Sequence, residues 1–184
     1  MRRMGASGAA QAMQEERGFT LIEVMFATVY LAVGLLGIAA MQNISLSGGV
    51  DAKRMSVGTN VAAEMLERIR FNAPANATSG VGGFPYNGIV VCSNVASAYC
   101  TGETAGNATA ANNLTASGDY DQWRGSLRAT DPNGALKLPD AVGTVTSVTT
   151  GTSTLSQVQV TVTVAWTAGA RRPTVSFTTI VTPL

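Results

Sequence analysis

Arg17-Gly18-Phe19-Thr20-Leu21-Ile22-Glu23 opens an apolar run that continues to about Met41 and carries one charge, Glu23. A helix rises about 1.5 Å per residue and the hydrocarbon core of a bilayer is about 30 Å thick, so roughly 20 apolar residues suffice to cross it. The run is long enough to span a membrane, and Glu23 would lie in lipid. An ionised acid there costs on the order of 2.5 to 3.5 kcal/mol on insertion scales, which calls for a specific partner and a specific job. A cut between Gly18 and Phe19 would supply the partner. The new chain would begin with an α-amine about one helical turn before Glu23, and the amine of one subunit would neutralise the carboxylate of another.

Gly-Phe-Thr-Leu-Ile-Glu at 18–23, behind a short charged leader, resembles the class III signal shared by type IV pilins and type II secretion pseudopilins. It combines Gly at the cut, Phe after it, Glu at the fifth mature position and an apolar helix. In that family an inner-membrane prepilin peptidase cleaves after the Gly and methylates the new amine. The resemblance therefore implies processing at Gly18 and Phe19, N-methylation of Phe19, and a protein that is a substrate rather than a catalyst. An ordinary secretory signal has an apolar core of roughly 7 to 15 residues with a small-x-small site after it; here the core is longer and the small residue precedes it. A plain single-pass anchor would leave Glu23 unexplained. Arg2, Arg3 and Arg17 lie before the span, so the positive-inside rule keeps the N-terminus cytoplasmic and sends the chain from about Gln42 to Leu184 across the membrane.

Charged residues make up 12% of the chain and the formal net charge is +1. No basic patch with interleaved aromatics occurs, so direct nucleic acid binding is not expected. Cys92 and Cys100 are the only cysteines and bracket a short polar loop. On the far side of the membrane an oxidising compartment favours a disulfide between them. Closing a loop of about 9 residues contributes roughly 2.6 kcal/mol in the chain-entropy description. A metal pair or a redox dithiol is the alternative, but the chain has no histidine and the spacing is not Cys-x-x-Cys.

Beyond the apolar run the helical pattern continues, because no proline occurs between Phe19 and Ala73. Val57, Val61, Met65 and Ile69 recur every fourth residue with Ala62 and Leu66 beside them, giving the segment Asp51 to Arg70 one apolar face. Glu64 and Arg68 add an i,i+4 pair. The expectation is one long helix over 19–72, in two parts: 19–41 in the membrane or a filament core, and 50–72 amphipathic. Gly48-Gly49 is its weakest point, at about 1 kcal/mol per glycine relative to alanine, and a hinge or a break there is open. Gly34 and Gly37 in the first half are compatible with close helix packing.

From Asn72 to Asp119 the sequence turns to Gly, Asn, Ala, Ser and Thr with Pro74 and Pro85, which reads as loop. Ile89 to Cys92 is the one strand expected within it, and 101–117 reads as variable in shape. Asn76, Asn107 and Asn113 head Asn-x-Thr triplets, a pattern frequent by chance in such a loop. A short helix is expected over Asp119 to Ala129, with Asp119 as its N-cap and Trp123 and Leu127 on one buried face. Asp131-Pro132-Asn133-Gly134 is a turn. Then the period changes to two. Val158, Val160, Val162, Val164 and Trp166 alternate with polar or small residues, and Val175, Phe177, Thr179 and Val181 give a second strand. A third strand runs from about Val142 to Thr149 and turns at Gly151. Consecutive strands with short links favour an antiparallel meander, which the amphipathic half of the long helix would cover.

The fold class expected is α+β: a long N-terminal α-helix, membrane-spanning in its first half, packed against a C-terminal antiparallel sheet. This is also the layout the pilin resemblance implies. The domains would be a cleaved cytoplasmic leader (1–18), the long helix (19–72) and a periplasmic head (73–184). The stretches Val33 to Gln42, Glu64 to Asn72, Asp121-Gln122-Trp123 and Val162 to Trp166 further resemble the minor pilins called type IV pilus modification proteins, the PilV group. Many major pilins carry a proline in the membrane half, and this chain has none.

Catalysis is not expected. There is no histidine, and no Ser or Cys nucleophile stands in a recognisable motif. Asp119, Asp121, Asp131 and Asp140 lack the dense oxygen-ligand spacing of a calcium loop. No metal and no cofactor is expected. The resemblance implies a minor pilin that helps to initiate or assemble a type IV pilus at or near its tip. Its partners would be the prepilin peptidase, other minor pilins, the major pilin and the inner-membrane assembly machinery, with residence first in a bacterial inner membrane and then in the fibre. A type II secretion minor pseudopilin shares every feature up to Met41. A membrane-anchored periplasmic binding domain is the reading from another class.

Overall fold

The computed structural model describes residues 18–76, 83–109, 114–150 and 157–182. Residues 1–17 of the proposed leader, including Arg2, Arg3 and Arg17, lie outside them, as do Asn113 and the Gly151 turn. The elements are α1 (Leu21–Asn76), β1 (Ile89–Cys92), a 3-10 turn (Gly106–Thr109), α2 (Leu114–Leu127), β2 (Val142–Thr150), β3 (Gln157–Ala165) and β4 (Thr174–Val181). The chain divides into two compact units that meet between Leu46 and Ser47.

In the first unit, every residue from 18 to 46 is exposed. Apolar side chains from Leu21 to Leu46 contribute to no core of their own.

The second unit is α+β, with the helix packed on an antiparallel sheet of order β1-β2-β3-β4. All three pairings are antiparallel, with Val145 opposite both Ile89 and Val162, and Val162 opposite Phe177. The alternation of valine with threonine or glutamine along β3 places Val158, Val160, Val162 and Val164 on the inner face, where all four are buried. Onto that face α1 sets Val61, Ala62, Met65, Leu66 and Ile69, the stripe expected from its fourfold recurrence, and α2 adds Ala116, Trp123 and Leu127. One helix layer therefore covers one sheet face.

The two tryptophans fill notches made by glycines. A Cβ at Gly143 of β2 would stand 2.5 Å from the Trp123 ring, and one at Gly58 of α1 would stand 2.6 Å from the Trp166 ring. Trp123 is fixed further by its indole N–H, which donates to the Val61 carbonyl at 2.9 Å. Trp123 thus packs under the sheet as expected. The β3–β4 hairpin closes through Gly169-Ala170, with Ala168 and Arg171 exchanging backbone hydrogen bonds. Gly169 sits at φ 61°, a conformation a glycine adopts without strain. The expected 131–134 turn is present, Gly134 N–H donating to the Asp131 carbonyl at 2.8 Å.

Three expectations need correction: the end of the first helix, the loop after it, and the cap at Asp119. The helix does not stop at Asn72 but keeps helical backbone to Asn76. Pro74 forgoes only the bond to the Arg70 carbonyl, and so near a C-terminus that loss does not end the helix. At Gly48 and Gly49, where the sequence leaves a hinge or a break open, the backbone is helical. The stretch read as loop holds more structure than expected: Thr104 bridges to Val90, a 3-10 turn follows, and α2 starts at Leu114, five residues before Asp119. Asp119 is therefore no N-cap but an interior residue of α2, and it is only 6% exposed. The strand expected at 89–92 is present as β1, an edge strand of the sheet beside β2.

Candidate functional site at the start of the apolar helix

Gly18, Phe19 and Thr20 have no regular secondary structure, and the helix begins at Leu21. Thr20 is what starts it. Its carbonyl accepts the N–H groups of Glu23 (3.0 Å) and Val24 (3.3 Å), and its hydroxyl oxygen also accepts from the Glu23 N–H at 3.3 Å. Thr20 is thus the N-cap and satisfies a backbone donor that has no partner within the helix. Thr20-x-x-Glu23 has the spacing of a capping box. The Gly18–Phe19 bond consequently lies in exposed, non-helical backbone two residues before the first turn, with both flanking residues uncovered. A peptide bond must leave the helix to enter a peptidase, and this one is already outside it.

Glu23 is the acidic residue of the first turn of α1. The sequence reading gave it a charge role alone. Its position adds a local one, because an acid in the first turn interacts favourably with the positive end of the helix dipole. The spacing from Thr20 was the signal that would have found this. Between Glu23 and Asp51 no further charge occurs. Among the described residues one helix is long and apolar enough to cross a membrane, and none of its apolar window is buried. Thr28 fits that character, returning its hydroxyl to the Met25 carbonyl at 2.8 Å so that its donor is used within the helix. Such a helix has the length and composition of a membrane anchor.

In the second unit Cys92 and Cys100 form a disulfide. Its loop is held down from both ends. Ser93 N–H donates to the Ala141 carbonyl at 2.8 Å, its hydroxyl accepts from the Ala141 N–H at 2.7 Å, and Arg128 Nε donates to the Cys92 carbonyl at 3.0 Å. Near the other end the Arg172 guanidinium stacks over the Tyr99 ring at 3.8 Å. Glu103 holds both Arg124 (3.1 Å) and Arg128 (2.8 Å), joining the segment after the disulfide to α2.

Asp119 organises the polar centre of this unit. It accepts from Tyr86 Oη at 2.6 Å, Asn72 Nδ2 at 2.7 Å and Arg68 at 3.2 Å. Arg68 also meets Glu64 at 2.8 Å and Gln122 at 2.6 Å. Burial, and then the hydrogen bond to Asp119, push the Tyr86 phenol well above its ordinary range. These bonds join α1, α2 and the segment before β1. Asp119 lies four residues before Trp123 and eight before Leu127, so all three share one face of α2; that spacing marks it as buried. The other aspartates serve elsewhere. Asp131 faces Lys53 at 3.6 Å, and Asp140, at φ 48°, accepts from Asn94 at 3.1 Å. Among the described residues no three of His, Cys, Asp and Glu come together as a metal site. Of the Asn-x-Thr triplets, the Asn107 amide donates to the Phe84 carbonyl at 3.1 Å, while the Asn76 side chain and Asn113 are outside the described residues.

Comparison of the chain with protein-family models, with curated proteins and with solved structures yields no match, so the residues described above carry the functional reading.

Proposed function

We infer that the chain is a minor pilin, processed by a prepilin peptidase between Gly18 and Phe19 and incorporated at or near the tip of a type IV pilus. The observation that carries this reading is the start of α1: an exposed, non-helical Gly18–Phe19 bond, a capped helix start, one acid in the first turn, and an apolar helix with no core of its own. The α+β head with its helix laid on an antiparallel sheet supports it, and the Cys92–Cys100 disulfide supports an oxidising compartment such as the periplasm. In this reading the N-terminus is cytoplasmic and the head periplasmic until assembly.

The mechanism is positional. When the apolar helix leaves the bilayer for the filament core, Glu23 is desolvated, and an unpaired acid there is costly while one paired with the Phe19 amine of a neighbour sets the axial offset. The partners are then the peptidase, other minor pilins, the major pilin and the inner-membrane assembly machinery.

Glu23→Ala and Glu23→Gln test this together. Both variants are expected to lose the leader normally, yet to appear in sheared filaments at least about tenfold less than the native chain, since tenfold corresponds to only about 1.4 kcal/mol of lost pairing. The glutamine variant retains the capping spacing and removes the charge. If it assembles like the native chain, the carboxylate serves the helix start alone and the register role is wrong.

A further inference from the structure

The arginines of the second unit are not treated alike. Arg68 meets Glu64 and Asp119, Arg70 meets Glu67, and Arg124 and Arg128 share Glu103. Arg54 and Arg172 have no carboxylate partner among the described residues, and both lie at one end of the unit. That end joins α1 to the β3–β4 hairpin: Arg171 donates to Asp51 at 2.9 Å, and Lys53 faces Asp131 at 3.6 Å. Arg172, next to Arg171, is half-buried over the Tyr99 ring, and its Nη1 has no hydrogen-bond partner. Lys53, Arg54, Arg171 and Arg172 thus gather with only two acids, Asp51 and Asp131. Lys137 and Asp140, on the neighbouring segment whose Pro139 carbonyl accepts the Thr167 N–H at 2.9 Å, add one charge of each sign. The surplus is positive and open to solvent, with Lys53 69% and Arg171 79% exposed. Beside it the disulfide loop presents Tyr99 and Val95, both exposed. Lysine and arginine next to an exposed tyrosine is the composition of a surface that meets lipid headgroups.

We propose that this end of the second unit rests on the anionic phospholipid surface of the membrane that the apolar helix crosses, with Lys53, Arg54 and Arg171 on lipid phosphates and Tyr99 and Val95 at headgroup level. The inference rests on the membrane-anchor reading of the apolar run and is independent of the pilus. The chain keeps the cluster in reach of a bilayer. Asp51 follows Met41 by ten residues, about 15 Å of helical backbone, of which the headgroup layer takes roughly 5 to 7 Å. What remains is within the Debye length of about 10 Å at 0.1 M salt, so the cations feel the surface charge. The arrangement also fits a surface better than a single free anion. Lys53 and Arg54 are successive on a helix, and Arg171 and Arg172 are successive on a hairpin, so the members of each pair diverge instead of converging on one point.

The test uses the full chain in nanodiscs of phosphatidylcholine alone and of an equal mixture of phosphatidylcholine and phosphatidylglycerol, with arginines labelled by phenylglyoxal and each site read by peptide mass spectrometry. Arg171 is expected to label at least about fivefold more slowly in the mixed discs, and high salt should remove the difference. Arg70, 50% exposed and about 24 Å further along α1 than Arg54, should label alike in both. A variant with Lys53→Gln and Arg54→Gln should lose most of the protection at Arg171. Equal labelling of Arg171 in the two discs, with the chain inserted in both, overturns the proposal and leaves the anchor standing. So does protection that survives the double variant, and so does equal protection of Arg70, which would mark a general effect of the charged disc. Inorganic phosphate that protects Arg171 as well in phosphatidylcholine discs would overturn the surface in favour of a free-anion site. A chain that enters neither disc contradicts the anchor, and the proposal with it.

Discussion

Asp119→Ala is expected to destabilise the second unit by about 3–5 kcal/mol, the range for removing one partner from a buried charged pair. The carboxylate is almost fully buried and accepts three hydrogen bonds, from Tyr86, Asn72 and Arg68. Truncation leaves the Tyr86 hydroxyl, on a side chain with no exposed surface, without its acceptor. It also removes one of the two carboxylates that compensate the Arg68 guanidinium, whose side chain is only 26% exposed, and leaves it Glu64 at 2.8 Å. Each stranded donor carries a desolvation penalty. Tyr86→Phe removes one donor and leaves the acid two partners, so it should cost only about 1–2 kcal/mol. Denaturant unfolding of the full chain, followed by tryptophan fluorescence, measures both, since the chain has two tryptophans and both are buried in this unit. A loss below about 1 kcal/mol for Asp119→Ala would mean that the network adds nothing beyond solvent exchange.

Gly143→Val is the second large effect. The first carbon of any side chain at 143 would stand 2.5 and 2.8 Å from two atoms of the Trp123 ring and 3.1 Å from Leu127. The ring cannot step aside cheaply, because its N–H is committed to the Val61 carbonyl and the surrounding core is closed. Valine's β propensity would by itself favour the substitution. Overpacking opposes it, at about 3 kcal/mol or more for a branched side chain against a fixed indole. A double-mutant cycle with Trp123→Leu separates the causes: once the ring atoms are gone, the cost of valine at 143 should fall by at least about 1 kcal/mol, a coupling expected of residues in contact. An unchanged cost in the leucine background would assign the effect to the backbone of β2 instead.

The sequence carried the frame of the second unit because its periods are long and clean. Period two over 158–166 and the fourfold recurrence over 61–69 each require one buried face and have it, while the inner face of 175–181 is half-buried until Val181. The lone cysteine pair and the 131–134 turn followed from local chemistry. What escaped was set by long-range contact. Asp119 reads as a cap because aspartate is favoured there and the small residues before it hide the start of α2; its burial depends on donors 33 to 51 residues away. Gly58 and Gly143 carry no local signal, for nothing in the neighbouring sequence says that an indole fills each notch. β1 is four residues with no period, and its pairing with β2 is fixed across more than 40 residues of chain. At the proposed site, Gly18, Phe19 and Glu23 were legible as a group. The cap at Thr20 was legible too, through its spacing to Glu23, but the unusual charge drew the reading away from it.

These two halves separate stability from function. Asp119, Gly58 and Gly143 set the fold of the head, whereas the inferred assembly role rests on Gly18, Phe19 and Glu23 at the start of α1. Substitutions in the first group should change abundance and unfolding, and those in the second should change processing or incorporation while leaving the head's unfolding unaltered.

The most direct measurement of the inferred role is the N-terminal peptide of this protein, determined by mass spectrometry in sheared surface filaments from the native host. A peptide beginning at N-methylated Phe19 in that fraction is the expected result, and it would establish processing and incorporation together. The same peptide confined to membranes would favour a pseudopilin or an assembly factor over a fibre subunit, and a chain that begins at Met1 in every fraction would contradict the minor-pilin reading and leave a simple membrane anchor.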